Sequence, residues 1–123
     1  MVGVEMKADY ISENFQRSEF ECRCGCGFAT VDVELIEILE RLREYYGKPI
    51  SINSGCRCKI YNKSIGGASQ SRHMEGIAAD IGIKGVEPSE VQSKLKQWYL
   101  NQYGIGCYNT FTHVDSRTKK ARW

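Results

Sequence analysis

The chain has no apolar run approaching the roughly twenty residues that span a bilayer, which excludes a membrane-crossing helix. Its opening, MVGVEMKADYISENF, carries acidic side chains and no apolar core segment, so it does not read as a Sec-type signal peptide. Synthesis in the cytoplasm is expected, with any export by another route. Internal repeats, low-complexity tracts and linkers are also missing, and 123 residues make one domain, 1–123, with a single modest core. A net charge of +2 is too weak to argue for nucleic acid. What remains is an ordinary globular composition, 41% hydrophobic and 26% charged. Residues 1–13 read as a polar lead-in, with Phe15 and Phe20 as anchors onto the body. Residues 117–123, RTKKARW, read as a basic, frayed, solvated tail.

Histidine is scarce, with His73 and His113 alone, but cysteine is not. Six cysteines fall at Cys22, Cys24 and Cys26, at Cys56 and Cys58, and at Cys107. Zinc fingers use C-x2-C, because two intervening residues let both thiolates turn onto one ion. The spacing here is C-x-C, which on an extended chain merely puts the sulfurs on one face. Free thiols, or a disulfide between the two clusters, are therefore expected in preference to a second, structural zinc. A cysteine-zinc nucleic-acid module fails on both charge and spacing.

Apolar periodicity supplies the elements. Leu35, Leu39, Leu42 and Tyr46 follow helical spacing over 32–46, with Asp32 at the start and Gly47 and Pro49 at the end. Residues 49–53 read as a strand with Ile50 and Ile52 on one face, and 57–64 as a short helix. The segment 65-IGGASQSRHMEG-76 is a loop, and 77–83 a strand. A second main helix is expected over 88–102, opened by Pro88 and carrying Val91, Leu95 and Trp98 on one side. Two short strands follow near 104–108 and 110–115. Helices and strands do not alternate as regular βαβ units, so the fold class is α+β, with a small, mostly antiparallel sheet packed by two main helices.

In 71-SRHMEGIAADIGI-83 a histidine precedes an aspartate that opens an apolar strand. Asp80 points opposite Ile81 and Ile83, and in 110-TFTHVDSR-117 the side chains of Phe111, His113 and Asp115 share one strand face. His73, Asp80 and His113 are thus candidate ligands for one ion, since zinc is held by imidazole nitrogen and carboxylate oxygen. Spacing alone leaves open a loop histidine that merely hydrogen-bonds.

The residues from 51-SINSGCRCKIYNKSIGGASQSRHMEGIAADIGI-83 and 111-FTHVDSR-117 carry a fuller pattern. It runs S-G-aromatic-R, then N, then G-G, then S-x-H-x-x-G-x-A-x-D-I, and late H-V-D. Matches fall at Ser54, Gly55, Arg57, Asn62, Gly66, Gly67, Ser71, His73, Gly76, Ala78, Asp80, Ile81, His113 and Asp115. In this the chain resembles the zinc D-alanyl-D-alanine carboxypeptidase and L-alanyl-D-glutamate endopeptidase family, of Hedgehog-like fold, in its short phage and bacterial form. The resemblance implies a zinc metallopeptidase that hydrolyses peptide bonds in peptidoglycan stem peptides, as an endolysin, a virion-associated lysin or a cell-wall remodelling enzyme. It implies zinc on His73, Asp80 and His113, with Arg57 at the substrate or its oxyanion. Ser71 is assigned to the substrate-binding loop, closing it through a backbone hydrogen bond rather than acting as a nucleophile. The protein is expected to be a monomer with no membrane insertion, acting at the cell wall after release or on a virion.

Two departures stand out. Cys56 replaces the aromatic residue before the arginine. Many relatives also carry a titratable base two or three residues ahead of the last ligand, where this chain has Thr110 and Phe111. Asp115 is then the candidate general base, with an orienting role as its alternative and Glu75 next in line. A catalytically silent zinc-fold module is the rival function.

Overall fold

The computed structural model describes residues 9–123, so residues 1–8 of the expected lead-in lie outside the described part. Helix α1 (Val33–Tyr46) buries Leu35, Ile36, Ile38, Leu39 and Leu42, the stripe that the leucine spacing predicts. It ends where Gly47 turns left-handed and donates its N–H to the Arg43 carbonyl. Asp32 occupies the N-cap position, but its carboxylate accepts from the Ser116 hydroxyl at 2.8 Å instead of capping the helix.

The strands are β1 (Ile50–Ser54), β2 (Ala78–Ile83), β3 (Gly104–Cys107), β4 (Thr112–Asp115) and β5 (Ala121–Arg122), in the order β1-β2-β4-β3-β5. Helix α2 (Lys59–Ser64) follows β1, and α3 (Pro88–Trp98) joins β2 to β3. The class is α+β, as expected, but the sheet is mixed rather than mostly antiparallel in its whole extent: β5 runs parallel to β3. Period-two alternation divides the sheet into two faces. Ala79, Ile81 and Ile83 of β2, Ile105 of β3 and Val114 of β4 join α1, Val91 and Leu95 in one core. Each buried Val, Leu or Ile among them contributes about 1.5–3 kcal/mol. The opposite face carries Asp80, His113 and Asp115, set side by side by the register Asp80↔His113 and Ala78↔Asp115.

Phe15 and Phe20 anchor the lead-in as expected, at 1% and 0% exposure, and Ser12 and Asn14 fasten it to the Glu40 carboxylate. Two expectations fail at the other end. Helix α3 stops at Trp98 instead of running to 102, and residues 121–122 form a strand instead of fraying. One side chain accounts for both. The Arg122 guanidinium donates to the carbonyls of Tyr99, Gln102 and Tyr103, collecting the acceptors left over at the helix exit. Among the described residues no helix is long and apolar enough to cross a membrane.

A 3-10 turn, Arg72–Glu75, projects one face of the site and ends at Gly76, whose φ is +72°. The Gly76 carbonyl accepts from Asp32 N–H, and an added Cβ would stand 2.0 Å from the Thr30 carbonyl oxygen. Gly76→Ala should therefore destabilise by more than the roughly 1–2 kcal/mol of a left-handed alanine. Gly82→Ala, where a Cβ meets nothing within 4 Å, should be close to neutral. Urea unfolding of the two variants checks this; equal midpoints would show that the Thr30 contact yields freely.

Candidate metal centre and cleft

The antiparallel pairing of β2 with β4 sets Asp80 opposite His113, and the 3-10 turn brings His73 over them. Ser71 begins that turn by accepting His73 N–H on its hydroxyl at 3.2 Å, and Arg57 N–H donates to the His73 carbonyl. His73, Asp80 and His113 are all buried, and one donor atom from each lies within 4.8 Å of the others. The two rings meet edge-on, with centroids 5.1 Å apart.

Each ring has its far nitrogen tied off. His73 Nδ1 lies 2.6 Å from the Gly55 carbonyl oxygen, which can only accept, so the proton sits on Nδ1 and the Nε2 lone pair faces Asp80 Oδ1 at 3.3 Å. His113 Nε2 lies 2.8 Å from Asp115 Oδ2, leaving Nδ1 to face the same Asp80 oxygen at 3.0 Å. Burial on its own would raise the Asp80 pKa, but His113 and His73, which donate to it once their inner nitrogens also carry a proton, outweigh burial and hold the carboxyl well below its ordinary range. Burial likewise opposes charge on His113, yet Asp115 and Asp80 pull its pKa above the ordinary value. Three acceptors thus converge on one point, an arrangement that repels itself until a cation sits among them. Two imidazoles and a carboxylate are a zinc donor set, and the residues fit that ion.

Asp115 stands behind His113 and has no exposed surface. Its Oδ1 accepts from Gly104 N–H and from Arg117 N–H and Nε–H, and its Oδ2 accepts from His113 and Arg117 Nη2. Burial would raise its pKa, but His113 and Arg117 hold it far below the usual range. Gly104 leaves the room for this: a Cβ there would meet the carboxylate at 2.4 Å. Arg57 lies on the cleft side. Its Nε, Nη1 and Nη2 donate to Ser54 Oγ, Asn62 Oδ1 and Asp80 Oδ2 at 3.1, 3.2 and 3.3 Å. A bulge between Ile52 and Ser54 aims the Ser54 hydroxyl at it.

The cleft over the three donors holds about 360 Å³ and is lined by Arg57, Ser71, Arg72, His73, Asp80, His113 and Arg117, with Tyr108, Phe111 and Trp123 as an aromatic wall. Asp80 is the only carboxylate among these lining residues. Tyr108 and Phe111 stack at 4.3 Å, and the Trp123 indole lies 4.9 Å from the His113 ring while donating to the Tyr108 hydroxyl. A Cβ on Gly106 would strike that indole at 2.6 Å. Glu75 turns away, pairing with Arg72 at 2.9 Å on the surface. A larger groove, about 620 Å³ between Glu13 and Gly47, gathers no histidine and no converging donors.

Sequence reasoning did not find Arg117, Trp123 or Tyr108. The available signal was Gly104-Ile-Gly106, two residues on one strand face with no side chain, which marks a place where large groups approach. All six cysteines are free thiols, one of the two states expected, but the first cluster does not stand along one extended face: Cys22, Cys24, Cys26 and Cys58 converge, with sulfurs within 4.8 Å of one another.

A family profile described as Peptidase M15 matches residues 13–115. Over 45 residues the chain is 51% identical to a zinc D-Ala-D-Ala carboxypeptidase of Streptomyces albus G, a stretch covering 36% of this chain and 18% of that protein. The chain thus spans less than a fifth of that relative's length. With the profile matching most of the sequence, the three converging donors included in its span, the chain belongs to the peptidase M15 family, a family of zinc metallopeptidases.

Proposed function

We propose that this chain is a zinc peptidase that hydrolyses peptide bonds in peptidoglycan stem peptides, as an endolysin or a wall-remodelling enzyme. The observation that carries the proposal is the convergence of His73 Nε2, Asp80 and His113 Nδ1, with the far nitrogen of each ring already engaged. When bound, zinc supplies a Lewis acid that acidifies water toward a pKa of about 7 and polarises a peptide carbonyl. The protein's own groups do the rest. Gly55 and Asp115 hold the two ring protons on the far side, which keeps both inner lone pairs available.

Arg57 offers a forked, permanent charge whose position is fixed by Ser54, Asn62 and Asp80. Those bonds use three of the five N–H groups of a guanidinium, and the remaining two are free to meet a substrate carboxylate or a developing oxyanion. Ser71 shapes the neighbouring loop through His73 N–H. Arg72 and Arg117, although paired with Glu75 and Asp115, bring guanidinium groups to the rim that suit anionic peptides, and the aromatic wall shields the reacting carbonyl from water. The curated relative's named substrate, a D-Ala-D-Ala terminus, belongs to this chemical class.

In this reading Asp115 is a positioning residue rather than the general base. Both its oxygens are engaged and it has no surface toward the cleft. A second reading, a zinc-loaded module without turnover, is favoured by one observation: among the described residues no carboxylate besides Asp80 lines the cleft. Incubation of the zinc-loaded protein with purified muropeptides, followed by mass spectrometry, decides between them. Cleavage that stops with chelator and returns with zinc supports the peptidase; unchanged muropeptides support the silent module.

Asp115→Asn should weaken zinc binding about 10–100-fold, with activity falling in parallel. Unchanged zinc affinity with turnover lowered by about 10²–10⁴ would restore Asp115 as the base. Arg57→Lys keeps the charge and loses the fork, so turnover should drop about 10²-fold while zinc content and melting temperature hold. Equal losses of stability and turnover would make Arg57 a structural residue.

A further inference from the structure

We propose that Cys22, Cys24, Cys26 and Cys58 bind a second zinc ion, structural in role and separate from the histidine site. The four sulfurs lie within 4.8 Å of one another, with Cys22 and Cys24 at 3.5 Å and Cys24 and Cys58 at 3.6 Å. A tetrahedral ion with bonds of about 2.3 Å places its sulfurs about 3.8 Å apart, whereas a disulfide needs about 2.05 Å. The cluster therefore has the spacing of four ligands around one ion.

The loop that carries three of the thiols is built to gather them. On an extended chain, alternate cysteines would stand in a row some 7 Å apart. Here Gly25 and Gly27 take φ of +83° and +92°, Gly25 N–H donates to the Cys22 carbonyl, and Cys22 N–H donates to the Phe28 carbonyl. The chain curls, and the sulfurs turn inward. Cys58 comes from the far side, 34 residues beyond Cys24. Two backbone amides already point at sulfur: Cys58 N–H at Cys22 Sγ and Tyr61 N–H at Cys58 Sγ, each at 3.3 Å. Such donors stabilise thiolates.

The two remaining cysteines stay out. The Cys56 thiol donates to the Thr30 carbonyl, and Cys107 lies on β3. Four thiolates fill a zinc coordination sphere, so the site is closed to substrate and its role is structural. Binding exchanges the four thiol protons for the ion and involves no redox change.

Position gives the site a purpose. Cys58 directly follows Arg57, and the cysteine loop is further tied to β1 by Arg23, which donates to the Ile52 carbonyl at 2.9 Å. An ion here clamps the chain on the far side of Arg57 from its Ser54 contact.

The test uses the full chain, purified under reducing conditions without chelator. Metal analysis should give two zinc ions per chain. The His73→Ala/His113→Ala variant should keep one, and X-ray absorption should show it in a sulfur-only shell at about 2.3 Å. Adding Cys24→Ser/Cys58→Ser should remove that ion. The histidine variant alone decides the question if the cysteine variant fails to fold. Zinc with no sulfur scattering, a native disulfide within the four cysteines, or the charge-transfer absorption of bound iron would each overturn the proposal. Because the readout is the sulfur shell, failure of the histidine site leaves this outcome legible.

Discussion

Two acceptor nitrogens and a carboxylate oxygen aimed at one buried point form an arrangement that no apolar core tolerates without a positive charge at its centre. Here that point lies between Asp80, His113 and His73, and much of the fold serves to keep it in place. The Asp80↔His113 register fixes two of the three groups by backbone hydrogen bonds alone. A shift of one residue in that pairing would send Asp80 to the core face and Ile81 to the cleft. Register is therefore set doubly, by Ile81 and Val114 wanting the core and by Asp80 and His113 wanting the cation.

This double determination explains what could be read from sequence. Helix α1 emerges from local periodicity because it has one buried face, and β2 and β4 because side chains of different chemistry alternate along them although both faces are buried. The three converging donors were legible for the same reason: strand alternation gave the faces of Asp80 and His113, and a recognisable motif brought in His73. What stayed hidden depends on distant partners. The end of α3 depends on Arg122, more than twenty residues further on, whose N–H groups are a better offer to the Tyr99 carbonyl than another helical turn. No window around Trp98 contains that information.

The curl of the cysteine loop and the depth of Asp115 stayed hidden through the opposite fault, too much trust in local geometry. A C-x-C spacing lies along one face only if the chain is extended, and the left-handed Gly25 and Gly27 break that assumption. Asp115 does share a strand face with His113, as alternation requires. However, the sheet continues past it: β3 presents Gly104 on that side, and the carboxylate sinks into the vacated space to meet Arg117. A residue on the right face can still lie beneath the site rather than in it.

Charge completes the logic. Asp80 is paired with Arg57 at 3.3 Å and Asp115 with Arg117 at 2.8 Å, so each carboxylate has its own guanidinium. With neutral imidazoles the protein groups at the centre sum to zero. A dication placed among His73, Asp80 and His113 therefore leaves a net charge near +2, undiminished by surplus carboxylates, at the floor of the cleft. The raised pKa of His113, where Asp115 and Asp80 prevail over burial, expresses the same demand for positive charge. Metal and proton compete for one place, and whichever holds it, the cleft remains positive. Anions are drawn toward that field, and Arg57 is held by Ser54 and Asn62 as well as Asp80, so its position does not rest on the Asp80 charge alone.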